Sequence, residues 1–358
     1  MTTILKHKEV ATALRAEIEA GRWRPGERLP GEVDLAQTFD VAHMTVRQAI
    51  ACLVDEGLLV RIRGKGTFVL AEPAHQADRG ERPLALLFPR DPQRADSYYF
   101  PDVLEGFQQQ MKEAGRQVTT YSSEPGDIGR TLDPRSAAAF VLCDRAQVPL
   151  LESLLDAGHK ILAVNRYPGR RVVPCVRIDD ASGVERAVDH LVTLGHERIG
   201  FLCGPSTNLD AEDRLHGFRS AVRRHQLRGA REEPSGFSEA TGYESTRNLL
   251  AQSTRPTAIV CASDLAAMGA IKAAREFGLS VPRGLSIVGF GDFSVADYIL
   301  PSLTTVRQSR IALGKAAAEN LIRLAGEEET TDVCLTADLI IRESTAPNAL
   351  ATQRTYQS

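Results

Sequence analysis

The chain has 358 residues, 43% of them apolar and 25% charged, with 43 Lys and Arg against 46 Asp and Glu for a formal net charge of −3. That length suits two or three domains, and the composition of an ordinary globular protein excludes a collagen, a disordered chain and a disulfide miniprotein. The charge gives no global polycationic signal, so any case for nucleic-acid binding has to come from the placement of residues.

The first seventy residues read as three helices and a hairpin. Val10, Leu14 and Ile18 recur every four residues and Gly21 stops the run. Pro25-Gly26 makes a turn, and Leu35, Ala36 and Phe39 mark a short second helix. Val46, Ala49, Ile50 and Leu53 form the apolar stripe of a third helix closed by Gly57. From Leu58 to Leu70 two β-rich runs flank Arg63-Gly64-Lys65-Gly66, a hairpin signal. His43, Thr45, Arg47 and Gln48 are expected off the third helix's stripe, free to reach phosphates or base edges. Arg61, Arg63 and Lys65 load the hairpin tip with positive charge. Residues 71–82 are small and polar, as in a linker, so the expected division is a head over 1–70, a linker over 71–82, a body over 83–346 and a tail over 347–358.

In the body, strands alternate with helices. Strands are expected at Leu84–Phe88, Ala138–Leu142, Ile161–Val164, Ile199–Leu202, Thr257–Val260 and Leu285–Val288. Helices are expected at Val103–Met111, Leu150–Leu155, Val184–Leu194, Leu215–Leu227 and Leu265–Phe277. This is the pattern of parallel α/β sheets, and its length calls for two lobes. Ligands in such sheets bind beyond the carboxyl ends of the strands. Asn165-Arg166, Ser263-Asp264 and Gly291-Asp292 stand at such ends, with Arg214 opening another helix. Each also has a plain structural reading, Asp264 as a helix N-cap and Asp292 as a turn residue. His190 and His196 are expected to buttress a helix end. The six cysteines are scattered and form no CxxC pair, which fits reduced thiols packed as small hydrophobes.

The head resembles the winged helix-turn-helix of the GntR family. The resemblance rests on Gly21 to Pro30, Leu35-Ala36, Thr45-Val46-Arg47-Gln48-Ala49, Glu56-Gly57-Leu58-Leu59 and Gly64-Lys65-Gly66-Thr67-Phe68-Val69. It implies DNA contacts at Thr45, Arg47, Gly64 and Lys65, and Arg28, His43, Met44, Gln48 and Arg63 complete the expected DNA-binding set. Three positions depart from the family pattern. Ala42-His43 replaces Ser-Arg or Thr-Arg, Val33 replaces a basic or polar residue, and Met44 replaces a small polar one. The body is similar to the effector domain of LacI/GalR-type regulators. Phe100 to Gly106, Leu194-Gly195-His196-Glu197-Arg198-Ile199, Arg214 to Phe218, Asp264 to Ala270, Ser286 to Phe290 and Pro301 to Val306 carry that likeness.

The second resemblance implies effector contacts at Ser97, Tyr99, Phe100, Asn165, Arg166, Arg214, Phe237, Ser263 and Gln308, to which the strand-end reading adds Asp292. Gly291, Ser263 and Asn165 stand where the family has Asp, Asn and Asp. That loss of acceptors leaves Arg166 and Arg214 expected to lack compensation, which makes a phosphorylated or acidic sugar an option beside a neutral one. The fold expected is α/β, a winged head plus a two-lobed periplasmic-binding-protein-like body. The two resemblances together imply a cytoplasmic, homodimeric repressor of carbohydrate use, with double-stranded operator DNA and a sugar or sugar derivative as partners. The alternative is a cytoplasmic sugar sensor whose head binds a protein. No catalytic, cofactor or metal motif is visible, and no run nears the roughly 18 apolar residues of a membrane helix, so neither an enzyme nor a membrane partner is expected.

Overall fold

The computed structural model describes residues 3–19, 21–23, 27–55, 58–62, 66–69, 82–89, 99–123 and 132–349. The chain divides into two compact units, Met1–Glu81 and Arg82–Ser358.

In the first unit, α1 (Thr3–Glu19), α2 (Glu32–Thr38) and α3 (His43–Asp55) precede a hairpin of β1 (Leu59–Ile62) and β2 (Gly66–Val69). The hairpin is antiparallel, with Leu59 opposite Val69. The Leu29 N–H donates to the Thr67 carbonyl and the Val69 N–H to the Glu27 carbonyl, each at 2.9 Å, so Arg28 bridges the hairpin antiparallel to Phe68. Val10, Leu14, Leu35, Val46, Ile50, Leu53 and Val69 pack as one core. The apolar stripe of α3 is wider than the sequence suggests. Thr45 is only 5% exposed, because it stands four residues before Ala49 and eight before Leu53 and so shares their face.

The second unit has two six-stranded sheets. The first lobe is ordered β13-β7-β6-β5-β3-β4, from β3 (Leu84–Pro89), β4 (Thr119–Ser123), β5 (Ala137–Val141), β6 (Lys160–Val164), β7 (Cys175–Ile178) and β13 (Val333–Leu335). Every pairing in it is parallel. The second lobe is ordered β14-β12-β11-β10-β8-β9, from β8 (Ile199–Leu202), β9 (Arg231–Glu233), β10 (Ala258–Cys261), β11 (Ser286–Gly291), β12 (Thr304–Gln308) and β14 (Ala337–Ile340). In that sheet β14 runs antiparallel to β12 and the other pairings are parallel. Strands β5, β8 and β10 are buried along their whole length, as both faces of a parallel sheet covered by helices require.

Helices α4 (Tyr99–Glu113), α5 (Val148–Asp156) and α10 (Arg310–Ala325) pack on the first lobe, and α6 (Asp180–Thr193), α7 (Leu209–Arg224), α8 (Glu239–Ala251) and α9 (Asp264–Glu276) on the second. The chain therefore crosses between lobes three times, after β7, after β12 and between β13 and β14. The crossings are tied to one another. The Asp179 N–H donates to the Leu335 carbonyl at 2.8 Å, and Gln308 Nε2 donates to Asp180 at 3.0 Å. His190 and His196 serve as props at the end of α6. His190 Nε2 meets the Thr345 hydroxyl at 3.0 Å, and His196 bridges the Thr257 hydroxyl and the Ala346 carbonyl. Burial pushes both imidazoles below their ordinary pKa.

Helices α4 and α10 cross at their glycines. A Cβ on Gly314 would overlap the Val103 carbonyl oxygen, and one on Gly106 would overlap the Ile311 carbonyl oxygen. Backbone on both sides cannot yield as a flexible side chain can. Gly314→Ala should therefore lose about 1–3 kcal/mol of stability. The check is the urea midpoint of the body, and an unchanged midpoint contradicts the crossing.

Candidate functional site

On the head, His43, Met44, Arg47 and Gln48 are exposed on the first turns of α3, and Arg28 is exposed beside the hairpin. His43 Nε2 lies 3.1 Å from Glu32 Oε2, which links the start of α3 to the start of α2. Thr45 faces inward, with its N–H donated to the Ala42 carbonyl at 2.8 Å. That corrects its expected place among the exposed residues. Arg63, Gly64 and Lys65 lie outside the described residues. The polar face that remains can meet phosphates through Arg47 and base edges through Gln48 and His43.

In the body, the expected effector residues gather around two centres. At the first, Arg214 is buried on α7. Its Nε and one terminal nitrogen both donate to Asp180 Oδ2 at 2.8 Å, and the other terminal nitrogen donates to the Ala262 carbonyl at 2.6 Å. The guanidinium carbon stands 4.1 Å from the centre of the Phe290 ring and 5.4 Å from that of Phe237. Gln308 donates to both oxygens of the same carboxylate. Burial pushes the Asp180 carboxyl up, while Arg214 pulls it down. Ser263 is the N-cap of α9. It accepts from the Ala266 N–H and donates to the Phe237 carbonyl at 2.7 Å. The cap thus falls one residue before the expected Asp264. Asp264 instead accepts the Phe293 N–H at 2.7 Å and the Thr305 hydroxyl, and burial raises its carboxyl to about 6.

The second centre belongs to the first lobe. Asn165 directly follows β6 with φ 75°, a left-handed conformation that Asn tolerates. It accepts the Tyr99 hydroxyl at 2.8 Å and donates to the Leu142 carbonyl at 3.2 Å. Phe100 packs edge-on against both Tyr99 and Phe88. Ser97 lies outside the described residues. Asp292 is engaged elsewhere, because Arg307 and Arg342 take its two oxygens at 2.6 and 2.7 Å. One surface groove of about 620 Å³, lined among others by Arg145, Val148, Glu152, Pro168 and Arg170, includes none of the expected effector residues.

Arg166 joins the two centres across the lobes. It donates to Glu212 at 2.5 Å and to Asp213 at 3.1 Å, and Arg145 adds two bonds to Glu212 at 2.8 and 2.7 Å. Asn208 caps α7 and donates to the Cys143 carbonyl of the first lobe at 2.9 Å. Arg310 pairs with Asp102 on α4 at 2.8 Å and reaches the Gly291 carbonyl on β11. Partial burial opposes ionisation of Glu212, but hydrogen bonds from Arg145 and Arg166 hold its carboxyl below the usual range. Both Arg166 and Arg214 are thus compensated, contrary to the expectation from the lost acceptors at Gly291, Ser263 and Asn165. The carboxylates come instead from Asp180, Glu212 and Asp213, which sequence reasoning passed over. Asp180 was signalled only by its place in Asp179-Asp180, directly after a strand.

A helical head with a wing and a polar recognition face, with two parallel-sheet lobes hinged at three crossings, defines a ligand-responsive DNA-binding regulator. Comparison with known proteins agrees. Residues 6–69 match the model of the bacterial regulatory proteins of the gntR family, and residues 188–345 match the periplasmic binding protein-like domain. The arabinose metabolism transcriptional repressor of Geobacillus stearothermophilus is 30% identical over 365 aligned residues, 96% of this chain and 98% of that protein. The HTH-type transcriptional repressor PurR of Haemophilus influenzae is 36% identical over 268 residues, 70% of this chain and 78% of that protein. The crystal structure of a LacI transcriptional regulator from a Rhodococcus species aligns with a TM-score of 0.65 at 28% identity, covering 74% of this chain and 99% of that one. The chain belongs to the family of transcriptional repressors that join a gntR-type head to a periplasmic-binding-protein-like body.

Removing Asp180's charge would strand a buried guanidinium. Asp180→Asn should therefore destabilise the body by about 3–5 kcal/mol, and adding Arg214→Met should recover most of that loss. Denaturant unfolding of the single and double variants checks this, and a single variant within about 1 kcal/mol of the parent contradicts the pairing.

Proposed function

We propose that the protein is a homodimeric, cytoplasmic repressor of a carbohydrate-utilisation operon, released from its operator by an uncharged sugar or sugar derivative bound between the lobes. Its partners are double-stranded operator DNA, that effector and a second copy of the chain. It works by binding rather than catalysis and needs neither a cofactor nor a membrane.

One observation carries the effector half of the reading. Arg214, Asp180 and Gln308 form a buried cluster beside the crossings, where a ligand of a few polar groups can bias the angle between lobes. The half-buried ring of Phe237 and the polar groups at Asn165 and Gln308 suit the face and hydroxyls of a sugar. An anionic ligand would have to displace Asp180, Glu212 or Asp213 from the arginines that hold them, which disfavours a phosphate or acid. The Geobacillus relative's name, which links that protein to arabinose metabolism, also supports a sugar.

The gntR match over the head supports DNA as its partner and does not favour a head that binds protein. Tyr298 and Leu300, 84% and 75% exposed on the second lobe, leave apolar surface for a second copy to cover. A dimer places two heads on a two-fold-related pair of half-sites. Switching the operator from nearly full to nearly empty requires the ligand to discriminate the two states by about 5.5 kcal/mol.

Fluorescence anisotropy on duplexes tiled across the gene's own upstream region, with and without pooled sugars, sugar acids and sugar phosphates, tests the reading. One duplex should bind tightly and the neutral pool should release it, whereas salt-insensitive binding or the absence of any bound duplex would refute it. In the same assay Arg47→Ala should weaken operator and random DNA alike and lower the salt slope by about one. An unchanged slope removes Arg47 from the phosphate contacts.

A further inference from the structure

Among the described residues of the head, Val33 and Met44 are the large apolar side chains left in water, 60% and 58% exposed. The other large apolar side chains of α2 and α3 pack inward, Leu35, Val46, Ile50 and Leu53 among them. The two exceptions stand close to a shared anchor. Glu32 and His43, the first residues of α2 and α3, meet at 3.1 Å, and Val33 and Met44 are the residues that follow them. Both therefore sit at the adjoining starts of the two helices.

Met44 also shares a face with the polar residues of α3. Arg47 and Gln48 follow it by three and four positions, the spacing of neighbours on one helix surface. Both are exposed. An apolar spot thus lies inside a face whose other members suit phosphate and base edges. Packing in the free head does not require it, and it leaves two hydrophobic side chains hydrated.

The major groove offers one apolar group on the base edges, the C5-methyl of thymine. We propose that Met44, with Val33 as a flanking wall, reads thymine 5-methyl groups in the operator. Met suits the task because its unbranched, polarisable thioether can settle against a methyl whose position varies with local groove shape. The proposal rests on the DNA-binding reading and adds a base preference to it.

The test starts from a duplex selected out of a random-sequence pool by the full-length protein. Each thymine is then replaced in turn by uracil, which lacks only the methyl. Burial of one methyl group corresponds to about a three- to fivefold change in affinity. At one or two positions per half-site, uracil should weaken the parent protein's binding by that factor. Met44→Ala should bind the thymine and uracil duplexes there equally, Met44→Leu should keep the discrimination, and Val33→Ser should fall between. Parent binding insensitive to uracil at every position, or full discrimination by Met44→Ala, overturns the proposal while leaving operator binding intact. Failure to select any duplex overturns both.

Discussion

Arg214 and Asp180 are both buried, and a buried guanidinium is tolerated only when its charge and its donors are matched. Here one carboxylate takes two of its N–H groups, the Ala262 carbonyl takes a third, and the Phe290 ring covers the face of the cation. Asp180 is the first residue of α6, reached directly after the first crossing, and Gln308 ends β12 at the second. The third crossing is tied in through Leu335 and Asp179. The ion pair therefore lies where the first two crossings meet, and the backbone bond from Asp179 to Leu335 sets the third beside it.

That arrangement bears on how the cleft would act as a switch under the proposed function. The lobes already meet through Arg145 and Arg166 on Glu212 and Asp213, through Asn208 on Cys143, and through Arg310, itself paired with Asp102 in the first lobe, on the Gly291 carbonyl. Several of these pairs are partly exposed, and such contacts are individually weak and screened by salt. They hold one arrangement without locking it. Under the proposed function, a ligand that favours one arrangement over the other can then bias the balance.

The parts of the fold legible in sequence are those in which burial writes an apolar pattern. Strands β5, β6, β8 and β10 announce themselves because both faces are covered. Helix α8 leaves little trace, since its buried side includes Gly242, Ser245 and Thr246. Helix α10 is equally quiet, because its buried face is largely alanine and glycine around Leu313 and Leu321. The start of α7 shows most clearly why site and pattern conflict. The expected helix began at Leu215, but the observed one begins at Leu209, because its first turns bury Asp210 and Arg214. A polar residue turned inward erases the periodicity that would reveal its helix. The arginines of the site were legible through family resemblance, whereas their partners Asp180, Glu212 and Asp213 depend on contacts between elements far apart in the chain. Thr45 misled for the opposite reason, as a polar residue packed on an apolar face.

Hydrogen exchange across the crossings tests the central claim most directly. With the full-length protein, exchange would be followed at residues 178–180, 308–310 and 335–337, with and without the sugar pool that releases DNA. The account predicts that the three segments gain protection together, and that Arg214→Ala abolishes the change in all of them. Protection confined to the head, or to one crossing alone, would contradict a shared buried pair as the point at which ligand binding is converted into movement of the lobes.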